Sequence, residues 1–556
     1  MAIFAPDEEL ESIRCIARTD EGGRFRCAAR LDGHLAISAV HRSGSATKSI
    51  DLSRSESIDL SLSKGNGVIE GVIRDESGHP RTNVAIRLTR PRRNFIDDVY
   101  VTTSSSDGRF QVNVPKGTYV ARAELDERTT SARLIELDDQ ASVDMTLDPR
   151  IDSNARIAAE AWSRKARSLL ATTDPTGADD DLATLTPWFE GARIVGLGES
   201  THGSRETFQL KHRIIRRLVE KEGFSVVALE ANRGELKIAD DYVRLVTKDE
   251  AAAVRSLGFW TWRTQELQDL LRWLREHNAG RLPRERVRLV GIDIQSTSEL
   301  ARSSSAWARK AGAPADMLAT LELLEDPNLD YPSLPLEQRQ SLLRVARALE
   351  AFSRERLAPS SVVRDAIGLA RGLEFLSLAP PHDFEFRDRA MADNVLAELD
   401  SRGTERVVLW AHAGHVARGA FDGIATMGEH LARARGDAAY RPVLIGFRAG
   451  IFRAIDASKG PGAIGPISSF ELPEAPNQTL EAVLASGADR PIAIGLRDVP
   501  SNTIPWFEAR IPTRWAGGMF VNERATTILL APRRAFDGII IAPRSSPSIP
   551  ATAPGN

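Results

Sequence analysis

Four short apolar segments of this sequence each end on side chains that can transfer protons or bind metal ions. The side chains are Glu199 and His202 after segment 194–198, Glu230 after 226–229, Asp293 after 287–292, and His412 and His415 after 407–411. Carboxylates and imidazoles gathered in one place suit proton transfer or metal binding, and burying them without a function costs free energy. The sequence therefore predicts an active site where the ends of these four segments meet.

The elements that must position these residues are the strands of a sheet. Continuous apolar runs of this kind are typical of strands that are buried on both faces. The stretches between them have helical periodicity, as over residues 206–222, and strands that alternate with helices favour a parallel sheet. Parallel strands place their carboxyl ends at one edge, where α/β proteins bind ligands. We therefore expect an α/β domain with a mainly parallel sheet and a helical insertion at about residues 300–401.

The segment 198–203 (GESTHG) carries the most chemical information. Glu199 and His202 are three residues apart, so they share a face if a helical turn starts there. The flanking glycines allow a tight turn from strand to helix, and a helix N-terminus stabilises a developing oxyanion. An ordinary helix start capped by Ser200 or Thr201 explains the segment equally well.

The histidines of these segments are candidates for general acid–base catalysis. An unperturbed imidazole titrates near pH 6.5, and a neighbouring carboxylate fixes its tautomer and raises its basicity. Glu199 or Glu230 could do this for His202. Two structural alternatives remain: Glu230 pairs with an arginine, or His412 and His415 are a core residue and a helix cap.

Residues outside the four strand ends are candidates for contact with the substrate. Trp262 could form one wall of an apolar pocket, and Arg263 could bind a carbonyl or a carboxylate. Core packing and a surface ion pair explain these two residues equally well. Asp293 is a further candidate, and Arg387 and Asp388 lie on a predicted helix without an assigned role.

The composition excludes several classes of protein. The chain has 556 residues, of which 42% are hydrophobic and 27% charged, so we expect more than one globular domain. A net charge of −3 gives no reason to expect nucleic acid or an anionic membrane as a partner. No apolar stretch approaches the roughly 20 residues that span a bilayer. G-x-S-x-G, P-loop and H-E-x-x-H motifs are absent from the sequence.

The N-terminal 150 residues contain a repeat. Residues 23–25 (GRF) recur as 108–110, and 50–52 correspond to 135–137 at the same spacing. Both copies alternate apolar and polar residues and contain Asp/Gly turns, which predicts antiparallel strands. The second copy resembles the carboxypeptidase regulatory-like β-sandwich, an immunoglobulin-like module, because the motifs G-x-V-x-D (with one extra residue), D-G-x-F and G-x-Y occur in that order.

The domain organisation follows from these patterns. We expect a partial β repeat over residues 1–64, a complete β-sandwich over 65–150, a helical linker over 151–187, a catalytic α/β domain over 188–543 and a disordered Ser/Pro tail over 544–556. Because the first copy lacks its opening strands, the reading frame is expected to start upstream of Met1. The sequence does not fix the compartment: we expect the cytoplasm as the sequence stands, and the periplasm or secretion if a signal peptide precedes it.

Five separated segments over residues 188–543 together resemble the erythromycin esterase family. The segments are GLGESTHG with the helix and strand that follow (196–231), WTWRTQEL (260–267), GIDIQ (291–295), FRDRAMADN (386–394) and WAHAGHVARG (410–419). The resemblance implies an α/β fold with a helical insertion and hydrolysis of a macrolide lactone by an activated water.

The resemblance also implies roles for individual residues. His202 would be the general base, Glu199 and Glu230 the associated acidic residues, and His412 and His415 the paired histidines. A substrate-binding position on the helix after the first motif is arginine in some members and is Lys211 here. An ammonium group cannot bind a substrate in the bidentate manner of a guanidinium.

Three functions fit these residues. In the first, His202 takes a proton from water without any cofactor, the water attacks an ester or lactone, and His412 or His415, with Arg263 or Lys211, stabilises the oxyanion or protonates the leaving oxygen. In the second, Glu199, His202, His412 and His415 bind zinc or manganese in a metal-dependent hydrolase. In the third, the protein binds a tetrapyrrole or another apolar ligand through the paired histidines. The substrate and the oligomeric state stay open.

Overall fold

The computed structural model describes most of the chain. The described residues are 2–4, 13–16, 19–20, 24–25, 34–41, 44–51, 60–62, 65–92, 97–125, 128–401, 405–459 and 464–551. Gly23, with which the first copy of the repeat was aligned, lies outside them. The β-strands predicted for both copies are present where the structure describes the chain, and the paired strands β3 (His34–His41) and β4 (Gly44–Asp51) of the first copy are antiparallel.

The N-terminal part is built from three sheets of short strands. Its other strands are β1 (Ala2–Phe4), β2 (Ile13–Ile16), β5 (Gly67–Arg74), β6 (Ala85–Arg90), β7 (Asp98–Thr103), β8 (Arg109–Val114), β9 (Gly117–Leu125), β10 (Arg128–Thr129), β11 (Arg133–Leu137), β12 (Gln140–Ser142) and β13 (Met145–Thr146). One sheet has the order β2-β1-β3-β4, and the other two contain β6, β7, β9, β10 and β11, and β5, β8, β12 and β13. Inward-facing residues such as Ile69, Leu88 and Phe110 form the shared core of the last two sheets, which is the predicted sandwich.

The C-terminal part has a large, mainly parallel sheet, as predicted. Its strands and the short strands around it are β14 (Ser168–Leu169), β15 (Ile194–Glu199), β16 (Val226–Asn232), β17 (Arg288–Asp293), β18 (Val407–His412), β19 (Ala420–Phe421), β20 (Ile424–Ala425), β21 (Tyr440–Asp456), β22 (Ile467–Leu472), β23 (Ile492–Gly495), β24 (Ile511–Arg514), β25 (Met519–Phe520), β26 (Thr527–Leu530) and β27 (Gly538–Ser545). The order is β14-β23-β27-β21-β15-β18-β16-β17. The strands from β27 to β17 run parallel.

Helices cover both faces of this sheet and form a separate layer beyond it. They are α1 (Ser153–Ala166), α2 (Thr186–Phe189), α3 (Arg205–Glu222), α4 (Arg233–Val243), α5 (Glu250–Arg255), α6 (Gln265–Asn278), α7 (Ser298–Lys310), α8 (Ala315–Leu324), α9 (Leu336–Glu355), α10 (Ser360–Ser377), α11 (His382–Asp400), α12 (Ala413–Val416), α13 (Met427–Arg435), α14 (Leu480–Leu484), α15 (Ile504–Glu508) and α16 (Pro532–Ala535). Helices α7 to α10 share an apolar core of their own, and with α11 they occupy the predicted insertion. Within the described residues, no helix is long and apolar enough to cross a membrane.

Two segments differ from the prediction. The linker 151–187 is not wholly helical, because Ser168 and Leu169 pair with β23 and extend the sheet. The tail is ordered over residues 544–551, and disorder was the wrong prediction there. Residue 549 donates its N–H to the carboxylate of Glu266 at 3.2 Å and accepts from the N–H of Gln265 at 2.8 Å. The tail thus satisfies backbone groups at the start of α6 that a helix terminus leaves unpaired.

Two glycines allow close backbone approaches at the edge where the strands end. A Cβ atom on Gly203 would lie 1.9 Å from the carbonyl oxygen of Arg453, and one on Gly291 would lie 2.6 Å from that of Ala231. Both distances are shorter than van der Waals contact. A side chain at either position would therefore push apart the elements that carry the acidic and imidazole groups.

Candidate active site

The four strand ends meet at one edge of the sheet, as the sequence predicts. In the parallel pairing of β15 with β18, Glu199 lies opposite His412. Strand β16 pairs with β18 on one side and with β17 on the other, which brings Glu230 and Asp293 to the same edge. The register of β16 against β17 shifts beyond Leu229, and such an irregularity turns side chains out of strict alternation.

Glu199 is fully buried, and its two carboxylate oxygens bind different partners. Oε1 lies 3.0 Å from Nδ1 of His202, and Oε2 contacts Nζ of Lys211. The same Nζ donates to the carbonyl of Ala411 at 3.2 Å and lies 5.0 Å from the centre of the Trp410 ring. Burial lowers the pKa of Lys211 well below its usual value. Because the carboxylate accepts the proton on Nδ1, the lone pair of neutral His202 lies on Nε2.

The turn that carries His202 is not helical. Helix α3 starts three residues later with Ser204 as its N-cap, so the capping role considered for Ser200 or Thr201 is wrong. The hydroxyl of Thr201 and the N–H of His202 both donate to the carbonyl of Gly517, at 3.1 and 3.2 Å. The turn is therefore held by the loop that follows β24, and not by a helix.

The ring of His202 is confined by its neighbours. The hydroxyl of Thr261 donates to the carbonyl of His202 at 3.1 Å. A Cβ atom on Gly518 would lie 3.0 Å from Cδ2 of the ring, so the loop backbone closes against it. The ring centres of His202 and His412 are 5.1 Å apart. The His202 side chain is 19% exposed, which leaves it within reach of a small molecule.

Arg387 on α11 joins the other carboxylates in a buried ion-pair network. Its Nε and Nη2 donate to the two carboxylate oxygens of Asp293 at 2.9 and 2.7 Å, and Nη2 also donates to Oε1 of Glu230 at 2.8 Å. The second oxygen of Glu230 accepts the backbone N–H of His412 at 2.8 Å. Burial raises the pKa of Glu230, but His415 and Arg387 outweigh it and hold that pKa well below its usual value. Glu230 is thus an anion at neutral pH, and it does pair with an arginine.

His415 lies between two carboxylates. Its Nδ1 is 2.5 Å from Oδ1 of Asp388, and its Nε2 is 3.2 Å from Oε1 of Glu230 and 2.9 Å from Nη1 of Arg387. Burial and the positive charge of Arg387 lower the pKa of His415. The carboxylates of Asp388 and Glu230 outweigh both effects and raise this pKa to about 10. His415 is therefore an imidazolium at neutral pH, and 18% of its side chain is exposed.

His412 has the opposite protonation state. Burial lowers its pKa well below the usual value, and neighbouring His202 lowers it further, so the ring is neutral. Nδ1 accepts the N–H of Gly414 at 3.2 Å, which places the proton of the neutral ring on Nε2. Within the part of the chain that the structure describes, this Nε2 is buried without a hydrogen-bond partner. Trp515 packs edge-on against the ring at 5.1 Å, so His412 presents an unused N–H donor beside His202.

Three of the four expected substrate contacts have side chains that are buried and engaged by protein groups. Trp262 is a core residue that donates from Nε1 to the carbonyl of Glu230 at 3.0 Å. Lys211 and Asp293 are fully buried and engaged by Glu199 and by Arg387 respectively. They set the charge behind the site and cannot touch a substrate.

The fourth expected contact, Arg263, is an exposed residue. Its Nε donates to the carbonyl of Leu257 at 2.5 Å, and its own carbonyl accepts the N–H of Ala551. This backbone contact ties the segment before α6 to the ordered tail, and a substrate contact of the exposed Arg263 side chain stays a prediction.

The metal-binding alternative does not fit the geometry. Among the described residues, no three histidine, cysteine or acidic side chains are arranged to hold a metal ion. The oxygens of Glu199 are engaged by His202 and Lys211, and both nitrogens of His415 by the carboxylates of Asp388 and Glu230. The engaged nitrogens of His415 also leave the pair His412 and His415 unable to ligate a haem iron together.

Sequence reasoning left out part of the site. Arg387 and Asp388 received no role, although their place in the segment FRDRAMADN could have marked them. The loop with Trp515 and Gly517 was not predicted at all, because it carries no titratable side chain. Its contribution lies in a ring contact and a carbonyl, which no residue-type pattern reveals.

Comparison with known protein families gives two matches. Residues 219–545 match the model of the erythromycin esterase family, and residues 68–148 match the carboxypeptidase regulatory-like domain. The first match spans more than half of the chain and includes Glu230, Arg387, His412 and His415. The second match falls within the sandwich built around β5 to β13.

Individual relatives are similar to the C-terminal part of the chain. An erythromycin esterase type II of Escherichia coli is 24% identical over 387 residues, which cover 62% of this chain and 90% of the relative. The putative hydrolase YbfO of Bacillus subtilis (strain 168) is 25% identical over 301 residues, which cover 48% of this chain and 66% of that protein.

Solved structures share the fold. A protein of Bacillus cereus covers 71% of this chain and 99% of its own, with a TM-score of 0.63 and 24% identity. A histidine-to-asparagine mutant of the erythromycin esterase EreC, in its open conformation, covers 69% of this chain and 99% of its own, with a TM-score of 0.55 and 18% identity.

Proposed function

The chain belongs to the erythromycin esterase family and is a hydrolase, and from this premise we propose that it cleaves an ester or a lactone with a water molecule activated by His202. The observation that carries the proposal is the juxtaposition of two neutral histidines with opposite hydrogen-bonding roles. His202 offers an acceptor at Nε2, and His412 offers a donor at Nε2, with ring centres 5.1 Å apart.

The reaction starts with proton transfer from water to His202. Burial lowers the pKa of His202. The positive charges of His415 and Arg387 lower this pKa further, against the opposing effect of the Glu230 anion, so the ring is neutral at neutral pH and can accept a proton. The contact with Glu199 holds the tautomer and stabilises the imidazolium that forms. The hydroxide then adds to the carbonyl carbon, and the carbonyl oxygen becomes an oxyanion.

His412 and His415 complete the cycle. The Nε2–H of His412 donates to the oxyanion, which is stronger than a donation to the ground-state carbonyl because charge has accumulated there. The tetrahedral intermediate collapses, the bond from carbon to the leaving oxygen breaks, and imidazolium His415 gives that oxygen a proton. His202 loses its proton to solvent and His415 regains one, so the net change is addition of one water and release of an acid and an alcohol.

The substrate we propose is a macrolide lactone, which would make the protein a determinant of antibiotic resistance. Support comes from the E. coli relative, which is named an erythromycin esterase and is covered over 90% of its length. The basic position on α3 that binds substrate in some members does not decide this, because Lys211 is buried against Glu199.

The direct test is incubation of the purified full chain with erythromycin, followed by mass spectrometry. We expect a product heavier by one water, formed at the same rate with and without a chelator. Simple lactones and p-nitrophenyl esters are assayed in parallel. Their hydrolysis without that of erythromycin would refute the macrolide proposal and leave the hydrolytic mechanism in place, and hydrolysis of none of them would refute both.

The pH profile of kcat/KM is expected to be bell-shaped, with its limbs set by two histidines. Protonated His202 cannot act as a base, and because its pKa is lowered, activity should persist below pH 6.5 before it falls. His415 must keep its proton, and its pKa of about 10 places the alkaline limb near pH 10.

The variant Asp388→Asn tests the assignment of the alkaline limb. Asp388 is the largest contributor that raises the pKa of His415, so the alkaline limb should move to lower pH while the acidic limb stays in place. An alkaline limb that stays near pH 10 in this variant would show that His415 is not the acid.

A further inference from the structure

A large cavity lies between the β-sandwich and the α/β domain, away from the histidine cluster. Its volume is about 790 Å³, within the range of pockets that hold small ligands. The sandwich contributes residues of β9 to β11 and 148–150, and the α/β domain contributes 418–423, 505–510 and 528–535. None of the acidic and imidazole side chains of the active site lines it. We propose that this cavity is a second binding site, for a small anion with an apolar body.

The charge of the cavity wall carries the first half of the proposal. The wall has more guanidinium groups than carboxylates: Arg122, Arg133, Arg150, Arg418, Arg510 and Arg534 against Asp148, Asp422 and Glu508. Arg418 is neutralised behind the wall by Asp537 and Asp437, at 2.6 and 3.2 Å. The other five arginines then exceed the three carboxylates, so the cavity has a net positive charge.

Each carboxylate of the wall already forms an ion pair, and Asp422 pairs with Arg122. Asp148 pairs with Arg510 at 2.9 Å, whereas Glu508 binds Arg533 outside the cavity at 2.5 Å and lies 3.9 Å from Arg534. Burial lowers the pKa of Arg510, and the positive charges of Arg122 and Arg534 lower it further against the pull of Asp148. An oxyanion in the cavity would reduce this repulsion between like charges.

Most of the remaining wall is apolar, which gives the second half of the proposal. Leu134, Phe421, Pro505, Ile528 and Leu530 line the cavity. A purely inorganic anion would leave these side chains facing water. A carboxylate or a phosphate on an apolar chain would fill the volume and meet both kinds of wall.

Isothermal titration calorimetry of the full chain with octanoate, octyl phosphate and octanamide tests the proposal. The three probes share an apolar chain and differ in the head group. We expect at least one of the two anions to bind, and whichever binds better identifies the head group as carboxylate or phosphate. The uncharged amide should bind at least roughly tenfold more weakly, since it loses a charge-assisted hydrogen bond. Equal affinity for the amide, or no heat with either anion at millimolar concentration, would overturn the proposal.

Variants locate the binding. Arg534→Gln removes a side chain that is 71% exposed and makes no close ion pair, so it should weaken anion binding by roughly tenfold without loosening the junction. Ala509→Trp fills the cavity and keeps every charge, and it should abolish binding. Arg344→Gln changes an exposed arginine of α9 and should leave the affinity unchanged. Unchanged binding in the first two variants, with unfolding temperatures equal to that of the parent, would place the anion elsewhere and refute the site.

Discussion

Replacement of His202 by asparagine is expected to lower kcat by roughly 10²–10⁴, the usual contribution of a general base, with little change in KM. The substitution removes the only acceptor that we assign to water activation. The turn itself should persist, because its contacts to Gly517 and Thr261 use the backbone N–H and carbonyl of residue 202. Steady-state kinetics on the substrate found by mass spectrometry measures kcat and KM. Thermal unfolding of the same sample shows whether the fold persists.

Two further variants distinguish catalysis from structure. His277→Asn changes a histidine of α6 that packs against Trp273, with ring centres 5.3 Å apart, and it should keep full turnover. Glu199→Gln should lose part of the rate and also lower the unfolding temperature, because it leaves the buried Nζ of Lys211 without its carboxylate. If His202→Asn kept the turnover of His277→Asn, another residue would have to be the base.

The sheet edge could be predicted from sequence because its signals are local. Apolar runs identify buried strands, and helices between strands favour parallel pairing, so Glu199 and His412 were expected at the same edge of the sheet. That they lie opposite each other depends on β15 and β18 being neighbours, which only the structure shows. The residue types at the strand ends then indicated proton chemistry without any knowledge of distances.

The orientation of side chains on helices and loops could not be predicted in this way. Trp262 and Lys211 were expected to touch substrate, and both point into the protein interior, because the rotation of a helix against the sheet depends on packing between distant segments. The ordered tail is a similar case, since a Ser/Pro composition says nothing about the backbone N–H of Gln265 and the carboxylate of Glu266 that hold it.

The structure also shows that the site consists of two differently charged halves. His202 and His412 are neutral and lie beside the Glu199–Lys211 pair, whereas His415 is cationic and lies among Asp388 and Glu230. The separation matches the chemistry that we propose, in which one histidine must begin without its proton and another with it. Arg387 binds Glu230 of the second half together with Asp293, so its loss is expected to have a large structural effect.

Arg387→Met is expected to lower the free energy of unfolding by about 3–5 kcal/mol at pH 7 and to abolish turnover. The variant leaves Asp293 and Glu230 as buried anions without their shared cation, and both are at most 8% exposed. Urea denaturation followed by tryptophan fluorescence measures the loss. Arg371→Met is the matched control, because Arg371 forms a single ion pair with Asp393, 2.8 Å long and at least 30% exposed on both sides; it should cost no more than about 1 kcal/mol.

The pH dependence of that loss identifies its cause. In the parent, the lowered pKa of Glu230 contributes stability that is fully present at pH values above the pKa of Glu230 in the unfolded state. This stability is lost as the pH falls through the pKa of Glu230 in the folded state. In Arg387→Met only His415 still opposes the effect of burial on Glu230, so the pKa of Glu230 should be higher than in the parent. The difference in stability between parent and variant should therefore be full at neutral pH and shrink as the pH falls through the pKa of Glu230 in the variant and then in the parent, whereas that of Arg371→Met should stay nearly constant. A loss independent of pH would mean that Arg387 acts through packing and not through its charge.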